Sequence, residues 1–499
     1  MEASVPVLKE SESKLVGKDR EFYLQFLKAS NEERISMRKK EAVYKTWFED
    51  ENAYYRREFR KFNEKIHTDP DLADWEYNWS KNNVHVQCNR VIAQRAFKSR
   101  NDDLSKYEKK TISLKTIGEF EKLLERYTKG YVPPLTRIQI TKNITFNEKD
   151  VIPVYSDIPS ETLENLSLHD FFVYEYGDAN LIDRTKDVNL VKAIELAKEE
   201  NNLIKCTCTD GRCYENINCP CFQVNHKLRD FQTTVDERKR TVFTSLKPIL
   251  LSQTTNVMYD CVGFACSELC GCMGKCNNNA LLLGQKNVFP IEMYRNNPNI
   301  GFCIRCPVPI PAGTPFKTFV GDLMDATFLH QPHQDYSYEV WRKDEVRMIR
   351  FIEEETKFTE EYKTLLVDLF RHTFQVNPTK YGNVGRTAGH SCVPNCELLR
   401  VYQKSLSPAH INLVMVSLED IVPGTPITID YGKQYAKRLK NVCGCGTFYC
   451  QNGEDKKTFE KMGYPDIALC LERIHSRKFE NYWENVQSRY TVDANFNDV

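Results

Sequence analysis

The sequence has no apolar run approaching 18 residues, and so no stretch suited to crossing a bilayer as a helix. It has no surplus of either charge, since 69 Lys and Arg meet 69 Asp and Glu. A generic polycation that coats nucleic acid needs a clear basic excess, so that class is excluded. The first twenty residues are polar and charged, with no apolar signal-peptide region. The expectation is a cytosolic or nuclear chain whose thiols stay reduced. No internal repeat is visible in residues 1–130. The cysteine spacings lack paired histidines, and there is no basic recognition helix, so sequence-specific DNA binding is not expected. What remains is an ordinary globular composition, 41% hydrophobic and 28% charged, enough for two to four domains in 499 residues.

Residues 1–130 mix Leu, Phe and Tyr with many charges at loosely helical spacing, and are expected to form a helical region of unknown role. Arg38-Lys39-Lys40 is read as a solvated helix face, with a short import signal as the alternative. Val132-Pro133-Pro134 breaks the pattern. Strands are expected over Ile138–Phe146 and Phe171–Tyr174, a helix over Val188–Asn201, and short β-like runs over Ile300–Val320. Arg342–Thr373 reads as an amphipathic helical stretch, Lys380–Tyr431 as strands and loops, and residues 453–499 as a helical tail.

Nineteen cysteines in a reducing compartment point to metal before disulfide, because they are clustered. The first cluster is Cys206, Cys208, Cys213, Cys219 and Cys221; the second is Cys266, Cys270, Cys272 and Cys276. Cysteines two apart bond poorly to each other but converge well on one ion. Nine thiolates do not divide into sets of four. Six terminal and three bridging thiolates do supply the bonds of three tetrahedral zinc ions. The charge of such a cluster is negative, and Lys205, Arg212 and Lys275 beside the ligands would offset it. Two separate zinc sites with unused thiols are the alternative. A third cluster, Cys443, Cys445 and Cys450, is one ligand short of a zinc site, and Cys392 is taken as the fourth. Cys261 is left as a spare, and Cys88, Cys306, Cys396 and Cys470 as buried small hydrophobes.

Between the clusters lie Tyr381-Gly382-Asn383-Val384-Gly385-Arg386, then Gly389-His390-Ser391-Cys392-Val393-Pro394-Asn395, then Gly424-Thr425-Pro426-Ile427-Thr428-Ile429-Asp430-Tyr431-Gly432. In order and spacing this resembles the SET-domain protein-lysine methyltransferases. The flanking cysteines resemble the pre-SET and post-SET elements of the suppressor-of-variegation branch, which methylates histone H3, typically at lysine 9. The resemblance covers roughly Ile138 to Asn452. It implies an α+β, β-rich pseudoknot fold in which the Asn383–Asn395 segment threads beneath the loop leading to Tyr431. The domains it implies are a pre-SET segment at 138–283, a SET domain at 284–432 with a helical insertion at about 342–373, and a post-SET segment at 433–452.

The resemblance also implies S-adenosylmethionine as methyl donor, with zinc as a structural metal, three ions in the pre-SET segment and one in the post-SET. The donor face would draw on Gly301, Phe302, Cys303, Tyr336, Arg386, Gly389, His390 and Tyr431. Tyr336 and Tyr431 would be the catalytic pair lining the lysine channel, with Tyr435 or Phe448 completing it. A lysine with a pKa of about 10.4 must lose its proton before it attacks a methyl carbon, and a dry aromatic channel beside a cationic sulfonium favours that loss. His390 is read as structural, not as a general base, and Asn395 as a partner of buried backbone groups.

Several positions depart from the family pattern. Gly389 stands where Asn is usual, Thr387-Ala388 where a bulky pair is usual, and Cys303 where the donor loop has its second Gly. Thr318-Phe319 replaces an early Glu-Tyr, and Ile429 replaces an aromatic that limits methylation. The insertion is expected to form one wall of the peptide groove. The function expected is histone H3 lysine methylation in the nucleus, on chromatin, with the H3 tail or nucleosome as partner and silencing factors as partners of the N-terminal region. The alternatives are a silent SET-fold scaffold that binds chromatin, and a methyltransferase for a non-histone protein. A zinc hydrolase is excluded because each expected metal site is filled by cysteine.

Overall fold

The computed structural model describes residues 18–41, 45–49, 51–72, 78–80, 111–113, 135–145, 150–158, 175–213, 216–232, 262–276, 278–297, 300–311, 314–328, 336–341, 346–391, 394–417, 421–431, 443 and 445. The chain opens with α1 (Lys18–Lys28), α2 (Asn31–Glu41), β1 (Lys45–Glu49) and α3 (Glu51–Thr68). Next come β2 (Asn78–Ser80), β3 (Thr111–Ser113), β4 (Leu135–Thr141), β5 (Val154–Ser156), β6 (Glu175–Tyr176) and β7 (Leu181–Ile182). Two helices, α4 (Val188–Ala197) and α5 (Pro220–Gln232), precede β8 (Val262–Ala265), the single turn α6 (Leu282–Gln285), β9 (Glu292–Arg295) and β10 (Cys303–Arg305). Then follow β11 (Pro315–Phe319), β12 (Gly321–Asp325), β13 (Tyr338–Trp341), α7 (Val346–Glu354) and α8 (Glu360–Leu369). The last strands are β14 (Phe374–Gly382), β15 (Gly389–His390), β16 (Cys396–Gln403), β17 (Ile411–Ser417) and β18 (Pro426–Ile429).

Three sheets carry the architecture. The largest has the order β1-β4-β5-β9-β10-β18-β15; the others are β11-β17-β16-β8 and β13-β14-β12-β7, with β6 beside β14. The parallel pairing of β15 with β18 joins segments far apart in the chain and forms the crossing that positions the site. This is the expected α+β, β-rich arrangement. Among the described residues no helix is long and apolar enough to cross a membrane.

Local chemistry explains where elements stop. The strand expected over Ile138–Phe146 ends at Thr141, because the Asn143 Oδ1 accepts the N–H groups of Thr145 and Ile152 (both 3.1 Å) and turns the chain. The helix expected over Val188–Asn201 ends at Ala197. Beyond it Asn202 is fully buried. Its Nδ2 donates to Leu196 O (2.9 Å), and its Oδ1 accepts the N–H of Thr359 (2.9 Å), the residue that caps α8. The insertion helices fall within the expected stretch and pack on the cysteine-rich side, α7 on α5 and α8 on α4. The strand expected at Phe171–Tyr174 and the C-terminal tail lie outside the described residues.

Part of the N-terminal region is built into the main core. β1 pairs antiparallel with β4, and α3 buries Tyr55, Phe59, Phe62 and Ile66 along one face. Phe62 stacks on Phe289 at 5.2 Å, which in turn meets Phe316 of β11 at 6.2 Å.

At the centre of the large sheet sits Glu292, 1% exposed. It accepts the Tyr54 hydroxyl (2.6 Å), Arg137 Nη1 (3.1 Å) and Arg305 Nε (2.5 Å). Arg305 also bridges to Asp157 (2.5 Å) and lies over the Tyr294 ring at 4.1 Å. The Arg137 Nε and Nη2 have no hydrogen-bond partner among the described residues, but its guanidinium lies over the rings of Tyr54 at 4.1 Å and Tyr155 at 5.0 Å. The two guanidinium charges hold Glu292 below the usual carboxylate range against the opposing effect of burial. Glu292→Gln keeps the shape and removes the charge, leaving the buried Arg137 uncompensated and Arg305 with Asp157 alone. It is expected to cost about 3–5 kcal/mol in urea denaturation, and Tyr54→Phe about 1–3 kcal/mol.

Candidate functional site

β10, β18 and β15 lie side by side at one end of the large sheet. This juxtaposition brings the Gly301-Phe302-Cys303 segment, Gly389, His390 and Tyr431 to one place. Gly301 is exposed; the other five are half-buried. Tyr431 follows the end of β18, and its ring centroid is 5.3 Å from that of His390. Its backbone N–H donates to His390 Nδ1 (3.3 Å), and its hydroxyl donates to Ala388 O (2.6 Å). Burial holds the His390 imidazole below its ordinary range, against the opposing pull of Asp430 and Cys445. The Nδ1 of His390 is thus engaged by the backbone of the neighbouring segment.

The segment threading past β18 is held by backbone and side-chain hydrogen bonds. Ser391 N–H donates to Ile429 O (3.1 Å). Asn395 Nδ2 donates to Pro426 O (2.8 Å), and its Oδ1 accepts the N–H of Thr428 (2.9 Å). Asn395 thus pairs backbone groups, as read from the sequence, though these are only partly buried. Upstream, Asn383 Oδ1 accepts Gly385 N–H (3.0 Å) while its Nδ2 donates to Thr318 O (2.7 Å). This fixes the 3-10 turn Val384–Thr387 that carries Arg386. Arg386 is buried, and its Nη1 is taken by the carbonyls of Pro378 (2.9 Å) and Thr379 (3.1 Å). Its guanidinium lies 4.3 Å from the Tyr336 ring centre. Tyr336 and Tyr431 are therefore anchored two residues apart on one stretch, at Arg386 and at Ala388.

Seven of the nine cysteines of the two large clusters fall into three overlapping sulfur groups. Cys206, Cys213, Cys266 and Cys272 form one group with all sulfurs within 4.8 Å of one another. Cys206, Cys208, Cys213 and Cys219 form a second, and Cys206, Cys219, Cys221 and Cys266 a third. Cys221 and Cys270 sulfurs are 3.6 Å apart. Shared members are what bridging thiolates require, so the donor set fits a multinuclear zinc cluster. Eight of the nine are buried and Cys208 half-buried.

Three N–H groups point at sulfur: Asn216 Nδ2 at Cys208 (3.3 Å), Ser267 N at Cys270 (3.4 Å) and Asn278 Nδ2 at Cys266 (3.6 Å). Sequence reading missed these residues; for two of them the signal is an asparagine among or just after the cysteines, Asn216 and Asn278. Gly271 lets the two cysteine loops interleave, since a Cβ there would lie 2.8 Å from the Thr207 carbonyl carbon. Lys275, expected to offset the cluster charge, is engaged by Asp71, 3.3 Å away. Asp71 also holds Lys286 (2.5 Å). Cys306 and Cys396 are fully buried, as expected. Cys443 and Cys445 are half-buried, while Cys88, Cys261, Cys392, Cys450, Cys470, Tyr435 and Phe448 lie outside the described residues.

Comparison with known proteins agrees with this geometry. The SET domain family matches residues 301–432, the span that holds every strand of the converging site. The chain is 24% identical over 246 residues to the histone-lysine N-methyltransferase, H3 lysine-9 specific, SUVH1 of Nicotiana tabacum, which is 49% of this chain and 30% of that one. It is 21% identical over 271 residues to SUVH3 of Arabidopsis thaliana, likewise H3 lysine-9 specific, covering 52% and 37%. The match thus spans about a third of these relatives' length. Among solved structures, Arabidopsis thaliana SUVH6 with SAM gives a TM-score of 0.40 at 18% identity, covering 62% of this chain and 55% of that one. The Neurospora histone lysine methyltransferase DIM-5 gives 0.39 at 16%, covering 56% and 94%. Residues 301–432 match the SET domain family, and over about half its length the chain is similar, at 21–24% identity, to H3 lysine-9 specific histone-lysine N-methyltransferases.

Proposed function

We propose that the chain is an S-adenosylmethionine-dependent protein-lysine N-methyltransferase that acts on the histone H3 tail, with lysine 9 as target, on nuclear chromatin. The observation that carries this reading is the convergence of Gly301–Cys303, Gly389–His390 and Tyr431 on β10, β18 and β15 within the SET match. Bound S-adenosylmethionine would supply an electrophilic methyl group. Gly301, Phe302, Cys303, Gly389 and His390 would hold the donor, and the carbonyls clamped by Arg386 would keep that wall in place. Tyr431 would orient the lysine amine through its hydroxyl, and Tyr336 would line the channel. Most of the rate would come from aligning the amine with the methyl carbon. The small Ile429 leaves room for more than one methylation step.

In this reading the nine clustered cysteines hold three zinc ions. Cys443 and Cys445, with Cys450 and Cys392, hold a fourth. The N-terminal region is the place for silencing partners. Zinc binding would be part of folding, because such sites do not preexist in the unfolded chain.

The test of activity is labelled methyl transfer from S-adenosylmethionine to recombinant H3 and nucleosomes, with mass spectrometry locating the mark. Tyr431→Phe is expected to lower kcat by about 100-fold or more, the order that one positioned hydroxyl supplies. Labelling of H3 by the parent at a lysine other than 9 would correct the target. A folded, zinc-loaded parent that binds no donor would favour the silent scaffold.

The metal assignment makes a separate prediction. Cys206 belongs to all three sulfur groups and Cys276 to none of them. Cys206→Ser is therefore expected to lose more zinc than Cys276→Ser, measured as metal per chain by mass spectrometry. Equal losses would contradict a shared, bridged cluster.

A further inference from the structure

Two departures from the family pattern, Cys303 and Gly389, are neighbours in the fold. In the antiparallel β10–β18 ladder, Ile304 faces Ile427 and Arg305 faces Pro426. Cys303 and Thr428 are the next residues beyond the Ile304–Ile427 pair, and both side chains lie within 4 Å of where a Cβ of Gly389 would be. In the parallel β15–β18 ladder, Gly389 faces Thr428. Residues 303, 428 and 389 therefore form one row across three adjacent strands, and residues in such a row share a face.

The backbone of Gly389 does not have positive φ, so its conformation is one that any residue can adopt. What glycine supplies there is room. A Cβ at 389 would lie 3.5 Å from Cys303 Sγ and 3.9 Å from Thr428 Cγ2. Both are ordinary contacts, so a methyl group fits, while a side chain that continues beyond Cβ meets the thiol. Thr428 cannot yield, because Asn395 holds its N–H (2.9 Å) and its hydroxyl (3.2 Å). Burial pushes the Cys303 thiol up to about 11, so it sits in the row as an uncharged group of fixed volume. On the side of Gly301 the space is open, with nothing within 4 Å of where its Cβ would be.

We propose that Cys303 and Gly389 are a compensated pair that sets the shape of the donor pocket, the side-chain volume of the row standing on β10 instead of on β15. The proposal rests on the methyltransferase reading and deepens it. Taken singly, a side chain at 303 crowds the donor loop and a glycine at 389 leaves a hole. Taken together, one fills the space the other vacates, and the pocket keeps its capacity for S-adenosylmethionine.

The test is a double-mutant cycle on the full zinc-loaded chain, comparing the parent with Cys303→Gly, Gly389→Asn and the double variant. Binding of S-adenosylhomocysteine is measured by calorimetry, and the thermal midpoint of each protein is recorded. Gly389→Asn alone is expected to weaken binding about 10-fold or more and to lower the midpoint, as overpacking does. Adding Cys303→Gly is expected to bring binding back to within about 3-fold of the parent, a coupling of the size seen for residues in contact. Additive effects, or a double variant as weak as Gly389→Asn, would overturn the pairing.

A second measurement needs no variant. S-adenosylhomocysteine is expected to slow iodoacetamide alkylation of Cys303 in the parent, followed by peptide mass spectrometry, and an unchanged rate would remove Cys303 from the pocket. A folded parent with no affinity for S-adenosylhomocysteine sinks the methyltransferase reading and the donor-pocket role together. The midpoints then still decide whether the two residues are coupled.

Discussion

The buried carboxylate of Glu292 is the point on which the large sheet depends. It lies on β9, and its three charge-assisted partners come from α3, β4 and β10. Arg305 carries the connection on to Asp157, just past β5. A charge taken out of water costs several kcal/mol, and this one is offset because its oxygens are met by two guanidinium groups and a phenol. The consequence for the site is geometric. Arg305 is two residues from Cys303 on the same short strand, so the ion network that anchors β10 also sets where the candidate donor loop begins. Replacing such a network by apolar side chains can be neutral for stability, but only the charged version ties Tyr54, Arg137 and Arg305 to one register.

The cysteine-rich segment and the SET domain are joined by more than sequence continuity. β8 leads directly into Cys266 and pairs with β16, and Gln403 Nε2 of β16 donates to Cys266 O (2.7 Å). Asn225 and Asn278 link α5 to that same strand end through amide hydrogen bonds. On the far side, the Asp69 and Asp71 carboxylates after α3 reach Lys286 and Lys275. These last pairs are partly exposed and contribute little each. They matter as orientation, since they set the N-terminal segment against the loop that carries Cys272 and Cys276. The insertion helices complete the arrangement from outside, with Asn202 joining the end of α4 to the start of α8.

Much of the site was legible because its chemistry is local in sequence. Cysteines two and four residues apart point to a metal cluster wherever they fold, and the structure brings sulfurs of both clusters together. Asn395 was readable as a backbone-holding group because short polar side chains beside proline turn or pair with the chain near them, whereas the same role of Asn383 emerged only in the structure. The insertion was legible as helix from its periodicity, but not its place: it packs on α4 and α5, where buried apolar faces meet, a partner that periodicity does not name. β1 was read as part of a helical region, because five residues between two helices carry too little pattern to stand out, and pairing with β4 is what makes them a strand.

The sequence by itself determined the element types of long periodic stretches, the clustering of cysteines and the SET motifs, because each of these is written in residues close together along the chain. Tertiary structure alone decided which distant residues share a row. Nothing in the spacing of residues 303, 389 and 428 indicates that they stand side by side. That follows from two β ladders of opposite direction meeting on β18, and from the fixed register that buried hydrogen bonds impose on both. The same holds for Glu292, whose partners lie 13, 155 and 238 residues away in the chain. A buried charge selects its partners by position in space, and only the folded chain supplies that position.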